Sequence, residues 1–251
     1  MTLDQDNFLV GSKSSVLKIV GAEARHRAPR AILRIDLSGS MRTEGQLGGI
    51  AALARGFVDA TPAQAPLAPV TFADRVKERL DFSPPKGVLR QRLLAISQEP
   101  PSTPGGRTAL MDALTEATAM FGMPPSGDMI FLISDGGDNV SHTRVSSVKN
   151  LLLERGVRLY SFITFDQIFP TEEVRIGPEA LPNLSNDTGG RPMTFERLSR
   201  GGWDNSPDAL ARDSEMGKYR YVLAASSYEL KIEVDRGIKG PIALKLKMGR
   251  L

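Results

Sequence analysis

The stretch that decides the fold reads AILRIDLSGS and covers residues 31–40. Its first half is a short, largely apolar run that ends in Asp36, which is typical of a buried parallel strand. A second apolar run, 129–133, is followed in the same way by Ser134 and Asp135. The sequence therefore predicts two inner strands, each with an aspartate at its carboxyl end.

The regions around these two strands alternate between helical and strand patterns. Apolar residues at steps of three and four residues predict helices at 47–57, 89–96, 109–121 and 145–155, and a capped start at Ser206 predicts another to about 216. Further strands are predicted at 69–72, 76–82, 157–165 and 192–195, the second of them as an edge strand. Several prolines and a Gly-Gly pair between 166 and 191 predict a loop with one broken helix.

The two ends of the chain predict a second, smaller sheet. Runs that read as strands lie at 219–225, 230–234 and 242–248, and the N-terminal run 16–20 is expected to pair with them. Because strands alternate with helices in between, the predicted fold class is α/β, a three-layer, doubly wound and mostly parallel sheet with one antiparallel edge strand. The predicted organisation is N-terminal lead-in strands over 1–29, the α/β domain over 30–217 and C-terminal strands over 218–251.

The composition excludes several classes of function. Hydrophobic residues make up 41% of the chain and charged residues 24%, and no segment approaches the roughly 20 apolar residues of a membrane span. Since there is no cysteine, the chain forms no disulfide and no thiolate site. The net charge of +3 comes from Lys and Arg scattered among 29 acidic residues, which argues against nucleic-acid binding. Residues 1–20 do not resemble a secretory signal, and a secreted or cell-envelope location of the natural precursor stays open.

The two strand-end aspartates are placed to converge. In doubly wound sheets, ligands bind beyond the carboxyl ends of the strands where the strand order reverses. The turn after Asp36 adds the hydroxyls of Ser38 and Ser40, and Thr108 lies in a loop before a helix. A hard dication such as Mg²⁺ prefers about six oxygen ligands and is poorly served by histidine or sulfur. Two carboxylates, with Asp135 as the second, and three hydroxyls match that preference.

Three segments together resemble the metal-ion-dependent adhesion site of von Willebrand factor A domains. They are DLSGSM at 36–41, GRTALMDAL at 106–114 and FLISDGGDN at 131–139, in the order typical of that family. The C-terminal stretch 210–234 is similar to a bacterial subfamily described as VWFA-related, and the N-terminal DNFLV and LKIV segments fit it as well. The resemblance to the domain itself covers residues 30–200.

The resemblance implies a Rossmann-like fold and a role for each residue of the site. By that resemblance, Ser38 and Ser40 bind the metal directly and Thr108 binds it directly or through water. Asp36 and Asp135 act largely through water, and a protein partner supplies an Asp or Glu carboxylate as the last ligand. The expected cation is Mg²⁺, with Mn²⁺ or Ca²⁺ as alternatives. The implied function is an adhesion-type protein-binding module rather than an enzyme.

Two other functions stay open on sequence alone. A Mg²⁺-dependent phosphohydrolase would use Asp36 as its nucleophile, although such enzymes usually carry a second aspartate where this chain has Ser38. A structural subunit of a larger bacterial assembly would keep the fold without using a metal to bind its partner. A serine hydrolase has less support, because the chain has no Gly-X-Ser-X-Gly motif.

Residues around the predicted site allow less specific predictions. Asp138, Asn139 and Arg107 are candidates to support the metal ligands without contacting the metal, although Gly and Asp are also common turn formers. His142 is expected to be an exposed loop residue, since no second ligand lies at a metal-binding spacing from it. Asp112 is expected on a helix surface or in a supporting role, and Trp203 is expected to pack against the protein.

Overall fold

The computed structural model describes residues 6, 8–12, 17–25, 29–42, 46–63, 65–99, 107–122, 127–165, 172–196, 227–234 and 242–246. They belong to two compact units, one drawn from 1–28 together with 225–251 and the other from 29–224. The helix expected at 206–216, the strand expected at 219–225 and Trp203 lie outside the described residues. Within those residues, every helix falls short of the length and apolar character that crossing a membrane requires.

The smaller unit pairs N-terminal strands with C-terminal strands. Strand β1 (Phe8–Ser12) runs antiparallel to β10 (Ile242–Leu246), and β2 (Leu17–Arg25) runs antiparallel to β9 (Ser227–Val234). The terminal segments therefore associate as antiparallel strands, as predicted, in two ladders of two strands each. In the second ladder Arg25 lies opposite Ser227. The chain thus leaves this unit and returns to it at adjacent backbone positions.

The larger unit is built on a six-stranded sheet. Its strands are β3 (Ala31–Asp36), β4 (Leu67–Phe72), β5 (Val76–Arg79), β6 (Met129–Ser134), β7 (Arg158–Phe165) and β8 (Arg191–Glu196). The strand order is β5-β4-β3-β6-β7-β8, and all neighbours are parallel except β5, which lies antiparallel to β4. This confirms the predicted mostly parallel sheet with one antiparallel edge strand.

Helices cover both faces of this sheet. The described helices are α1 (Gln46–Ala60), α2 (Lys86–Ser97), α3 (Leu110–Met120), α4 (Val145–Glu154) and α5 (Glu172–Asp187). Because side chains alternate along a strand, Leu33 packs into the core beneath α1 with Phe57, whereas Ile32 packs into the core beneath α3 with Leu114. Each such buried side chain contributes about 1.5–3 kcal/mol to folding. The larger unit therefore has the predicted three layers.

Helix α5 differs from the prediction for 166–191. The sequence predicts a loop with a broken helix there, but the structure has one helix that continues from Glu172 to Asp187 through Pro178 and Pro182. An internal proline costs a helix about 3 kcal/mol, because it removes a backbone donor and crowds the preceding turn. The burial of Leu181 and Leu184, at 0% and 2% exposure, offsets that cost. Tertiary packing thus overrides the local proline signal.

An ion pair joins the two central strands at their amino ends. The backbone N–H and the Nε of Arg30 donate to the two carboxylate oxygens of Asp128, each at 3.0 Å. The Asp128 side chain is 4% exposed, so this pair is largely shielded from solvent. It fixes β3 and β6 side by side at the edge opposite to the strand-end aspartates.

Candidate metal centre

The two predicted aspartate ligands lie at adjacent strand ends. Asp36 is the last residue of β3, and Asp135 directly follows β6. The strand order reverses between these two strands, because β3 leads to β4 on one side and β6 leads to β7 on the other. Asp36 is fully buried and Asp135 is 8% exposed. The structure therefore brings both aspartates to the switch point of the sheet.

The Asp36 carboxylate is oriented by hydrogen bonds to both of its oxygens. Its Oδ1 accepts from the backbone N–H of Ser38 at 2.8 Å, and its Oδ2 accepts from the Ser134 hydroxyl at 2.6 Å. The Ser134 oxygen in turn accepts from the backbone N–H of Gly136 at 3.0 Å. Asp36 thereby joins the turn after β3 to the turn after β6.

The turn after β3 brings two predicted hydroxyl ligands together. The Oγ atoms of Ser38 and Ser40 lie 3.3 Å apart, and a short 3-10 helix over Gly39–Arg42 carries Ser40. Met41 is buried, and its Sδ accepts a hydrogen bond from the Thr164 hydroxyl at 3.2 Å. This contact anchors the serine turn on β7.

Thr108 is held by the loop that follows Asp135. Its backbone N–H donates to Oδ1 of Asn139 at 2.8 Å, and its carbonyl accepts from the N–H groups of Asn139 and Val140 at 3.1 and 3.2 Å. In the same loop, Ser141 Oγ accepts from two backbone N–H groups in the first turn of α3. Thr108 is buried and is connected through these bonds to the loop that carries Asp135.

Two glycines allow the tight turn that orients Asp135. Its Oδ1 accepts from the backbone N–H of Gly137 at 2.9 Å. Gly136 has φ of 85°, in the left-handed region that favours glycine. A Cβ added to Gly137 would lie 3.2 Å from the same carboxylate oxygen. A side chain at Gly136 would therefore strain the backbone, and one at Gly137 would crowd the Asp135 carboxylate.

The two aspartates place negative charge at the site that no ion pair with a described residue balances. Burial, followed by the charge of Asp135, raises the pKa of Asp36 from 3.8 to about 7, while hydrogen bonds from Ser134 and Ser38 partly oppose this rise. Neither carboxylate forms an ion pair with another described residue. Buried anions without a paired cation are unfavourable, so a cation between these groups would stabilise them.

The oxygen donors fit a hard dication. The predicted set holds two carboxylates and three hydroxyls, with no nitrogen or sulfur. In the part of the chain that the structure describes, no group of three or more His, Cys, Asp or Glu side chains is arranged to hold a metal. A metal here would therefore depend on the serine and threonine hydroxyls. Mg²⁺ tolerates such a set, since it commonly takes one or two carboxylates and keeps several waters.

The two candidate supporting residues occupy different environments. Asp138 is half-buried, and its Oδ1 accepts from the backbone N–H of Ser141 at 3.2 Å, which orders the loop that holds Thr108. Arg107 is exposed. A role in supporting the metal ligands stays a prediction for both.

His142 and Asp112 lie together beside this loop. The His142 side chain is 96% exposed, as expected, and its Nδ1 lies 3.3 Å from the Asp112 carboxylate. Asp112 also accepts from the backbone N–H of Thr143 at 2.9 Å. Although burial raises the pKa of Asp112, the hydrogen bonds from Thr143 and His142 outweigh burial and lower it to about 2. Asp112 thus supports the loop from the start of α3.

Two orienting residues were missed by the sequence interpretation, Ser134 and Ser141, whereas Asn139 was a candidate for a supporting role. Ser134 gave a weak signal, because it is a polar residue at the end of a fully apolar strand. Asn139 and Ser141 bind backbone groups that lie 31 and 30 residues away in the sequence. No local pattern in the sequence could have indicated those partners.

Several solved structures are similar to this chain. A von Willebrand factor type A protein from Catenulispora acidiphila matches with a TM-score of 0.52 and 14% identity, over 86% of this chain and 48% of that one. The manganese-loaded TRAP protein from Plasmodium vivax matches with a TM-score of 0.52 and 16% identity, over 89% of this chain and 83% of that one. The pilus adhesin SpaC from Lactobacillus rhamnosus GG matches with a TM-score of 0.52 and 11% identity, over 87% of this chain and 34% of that one. This chain thus spans half or less of two of these three proteins.

The fold follows from the topology and the structural matches together. No protein-family model and no curated protein sequence matches the chain. At identities this low, structural likeness establishes the fold and leaves function to be argued from the site. The central sheet has β5 antiparallel at one edge and helices on both faces. This topology agrees with the fold implied by the sequence segments at 36–41 and 131–139. The chain has the von Willebrand factor A fold that its sequence resembles.

Proposed function

We propose that the chain is a non-enzymatic, adhesion-type binding module that holds one divalent cation and binds an acidic residue of a protein partner through it. The proposed site has Ser38 and Ser40 bound to the metal directly, Thr108 bound directly or through water, and Asp36 and Asp135 acting largely through water. The cation is Mg²⁺, or Mn²⁺ or Ca²⁺ in its place. When bound, it would supply an electrophilic centre for the Asp or Glu carboxylate of the partner.

The observation that carries this proposal is the pair of buried carboxylates at the switch point. Asp36 and Asp135 lie at neighbouring strand ends, and the pKa of Asp36 is raised to about 7 by burial and by the charge of Asp135. Such a perturbed group at a strand-end site is typical of a functional position. A divalent cation is the simplest species that would satisfy both charges and use the adjacent hydroxyls.

The hydrogen bonds support different roles for the carboxylates and the hydroxyls of the proposed site. Both carboxylate oxygens of Asp36 accept hydrogen bonds, one from Ser38 and one from Ser134. Asp36 therefore orders the turn after β3 and contributes negative charge to the site. The hydroxyls of Ser38 and Ser40 are neutral and lie 3.3 Å apart. Because neutral hydroxyls compensate the cation less than carboxylates would, an incoming acidic side chain is favoured.

Two of the structural relatives support the same reading. One solved TRAP protein with this fold is manganese-loaded, and SpaC is a pilus adhesin. A metal-dependent adhesion role in this chain is therefore consistent with both the fold and the donor set.

Metal binding is tested by removing one hydroxyl while keeping its volume. We expect Thr108→Val to weaken Mg²⁺ affinity at least tenfold, as measured by isothermal titration calorimetry. The matched control is Thr118→Val, because Thr118 is equally buried but its hydroxyl donates to the Leu114 carbonyl within α3. Equal affinities in wild type and Thr108→Val would contradict the proposed ligand set.

Partner binding is tested by capture from source cells on immobilised protein, with a Mg²⁺ wash and elution by EDTA. We expect EDTA to release a protein that Asp36→Ala does not retain. A complex that survives EDTA and forms equally well with Asp36→Ala would favour a structural subunit instead.

The geometry argues against Asp36 as a phosphohydrolase nucleophile. A nucleophilic carboxylate must present an oxygen to the substrate, whereas Asp36 is fully buried and both of its oxygens accept hydrogen bonds. Mg²⁺-dependent hydrolysis of a generic phosphate ester that disappears in Asp36→Ala would overturn this reasoning.

A further inference from the structure

Arg34 is a charged residue in the middle of the most buried strand. It lies in β3 between Val70 of β4 and Leu132 of β6, and it has 0% exposure. Alternation along the strand places it on the same face as Asp36, two residues before the candidate site. A buried arginine is unusual, since charged side chains are rarely fully buried unless paired.

The contacts of Arg34 satisfy its guanidinium only in part. The guanidinium lies over the Phe72 ring, 4.8 Å from its centroid, and Nη2 is 3.4 Å from a carboxylate oxygen of Glu116 on α3. The Glu116 side chain is 56% exposed, so this ion pair is partly screened. Among the described residues, Nε and Nη1 have no hydrogen-bond partner. Local contacts therefore do not account for the burial of this charge.

The guanidinium keeps its charge at neutral pH. Burial lowers the pKa of Arg34 to about 10, and the charges of Glu116 and Asp36 oppose this change. Arg79 of the edge strand acts in the same direction as burial. Independently of this shift, arginine is protonated at neutral pH, so the strand geometry places a positive charge on the same face of β3 as Asp36, two residues away.

We propose that Arg34 is the internal counter-charge of the metal site and sets how tightly the site holds its cation. This inference rests on the proposed metal-binding function. The guanidinium compensates part of the charge of the buried carboxylates when the cation is absent, and it repels the cation when it is present. Arg34 is therefore a positioning and tuning residue, and it does not contact the metal or the partner.

The size of the effect follows from Coulomb's law. Two strand residues on the same face are separated by about 7 Å along the chain. A unit charge and a dication about 8 Å apart, at an effective dielectric of about 20, repel each other by an amount equivalent to about a thousandfold in affinity. Glu116 and the surrounding solvent compensate most of this repulsion, so we expect removal of Arg34 to strengthen Mg²⁺ binding about tenfold. A purely structural role predicts the opposite sign, because loss of packing would disorder the site and weaken binding.

The experiment measures Mg²⁺ affinity by calorimetry in wild type, Arg34→Met, Arg34→Lys and Glu116→Gln. We expect Arg34→Met to bind about tenfold more tightly and Arg34→Lys to stay close to wild type, because lysine keeps the charge. Glu116→Gln should bind a few-fold more weakly, since it leaves the Arg34 charge less compensated. The control is Asp59→Asn, which removes the carboxylate of an exposed ion pair with Arg90 and should leave affinity unchanged.

The outcomes separate the two proposals. If the wild type binds no Mg²⁺, the proposed function fails and this inference fails with it. If the wild type binds Mg²⁺ but Arg34→Met binds it equally or more weakly, the inference fails and the proposed function stands. If circular dichroism shows that Arg34→Met does not fold, Glu116→Gln decides, and unchanged or tighter binding in that variant overturns the inference.

Discussion

Removing the charge of Asp36 should stabilise the metal-free protein at neutral and higher pH. Burial and the charge of Asp135 raise the pKa of Asp36 from 3.8 to about 7. Because a tenfold change in proton affinity corresponds to about 1.4 kcal/mol, ionising Asp36 destabilises the folded state by about 4 kcal/mol relative to the unfolded chain. Asp36→Asn removes this penalty and keeps an oxygen that can accept from the Ser38 N–H.

The sign of the pH dependence follows from the raised pKa. The penalty is absent below about pH 4, where Asp36 is protonated in both states, and it grows as the pH rises towards 7. It is fully present above about pH 7. The free energy of unfolding of the metal-free wild type should therefore fall across this window relative to that of Asp36→Asn, and the two should converge near pH 4.

The assay is urea denaturation in EDTA at several pH values between 4 and 8.5, followed by intrinsic fluorescence or circular dichroism. Asp59→Asn serves as the control, because this carboxylate is exposed and its loss should shift stability little. Saturating Mg²⁺ should stabilise the wild type above pH 7 and leave Asp36→Asn unchanged, since a ligand that binds only the folded state raises its stability. A metal-free Asp36→Asn that is less stable than wild type at pH 8 would refute this account of Asp36.

Three further substitutions test other parts of the structure. Ser134→Ala removes a donor to Asp36 and leaves a backbone N–H without its acceptor, so we expect a loss of about 1–3 kcal/mol in urea denaturation and weaker Mg²⁺ binding by calorimetry. Asp128→Asn breaks the shielded ion pair at the other edge of the sheet and should cost about 3 kcal/mol in the same denaturation assay, with Mg²⁺ affinity unchanged. Gly190→Ala would place a Cβ 1.7 Å from the Leu159 carbonyl oxygen, so we expect a loss of stability large enough to lower the yield of folded protein, measured by thermal denaturation.

The parts of the fold that could be predicted were those encoded locally. The apolar runs that end at Asp36 and Asp135 predicted adjacent inner strands, because only a sheet covered on both faces buries such runs. The edge position of β5 was predicted from the alternating residue pattern of 76–82. Helix α5 was not, since Pro178 and Pro182 indicate a break and only tertiary packing of the leucines on its inner face overrides them.

In the candidate site, too, only the features encoded by local sequence could be predicted. Its proposed ligands were named from three short segments, and their metal-binding role remains a prediction. Of the residues that orient those ligands, Asn139 was a candidate without a known partner and Ser141 was not named, because both act on backbone groups of a different segment. The sequence does not indicate a role for Arg34 within a largely apolar strand. Its burial depends on contacts with Glu116 and Phe72, which lie far away in the sequence.

The register of β2 and β9 has a consequence for the chain that connects them. Arg25 and Ser227 lie opposite each other in that ladder. The chain from 26 to 226 is therefore an insertion between two paired strand ends. A short turn joining these two positions would convert β2 and β9 into an ordinary hairpin. Any segment inserted between these two positions must therefore bring its own ends to neighbouring backbone positions if the ladder is to form.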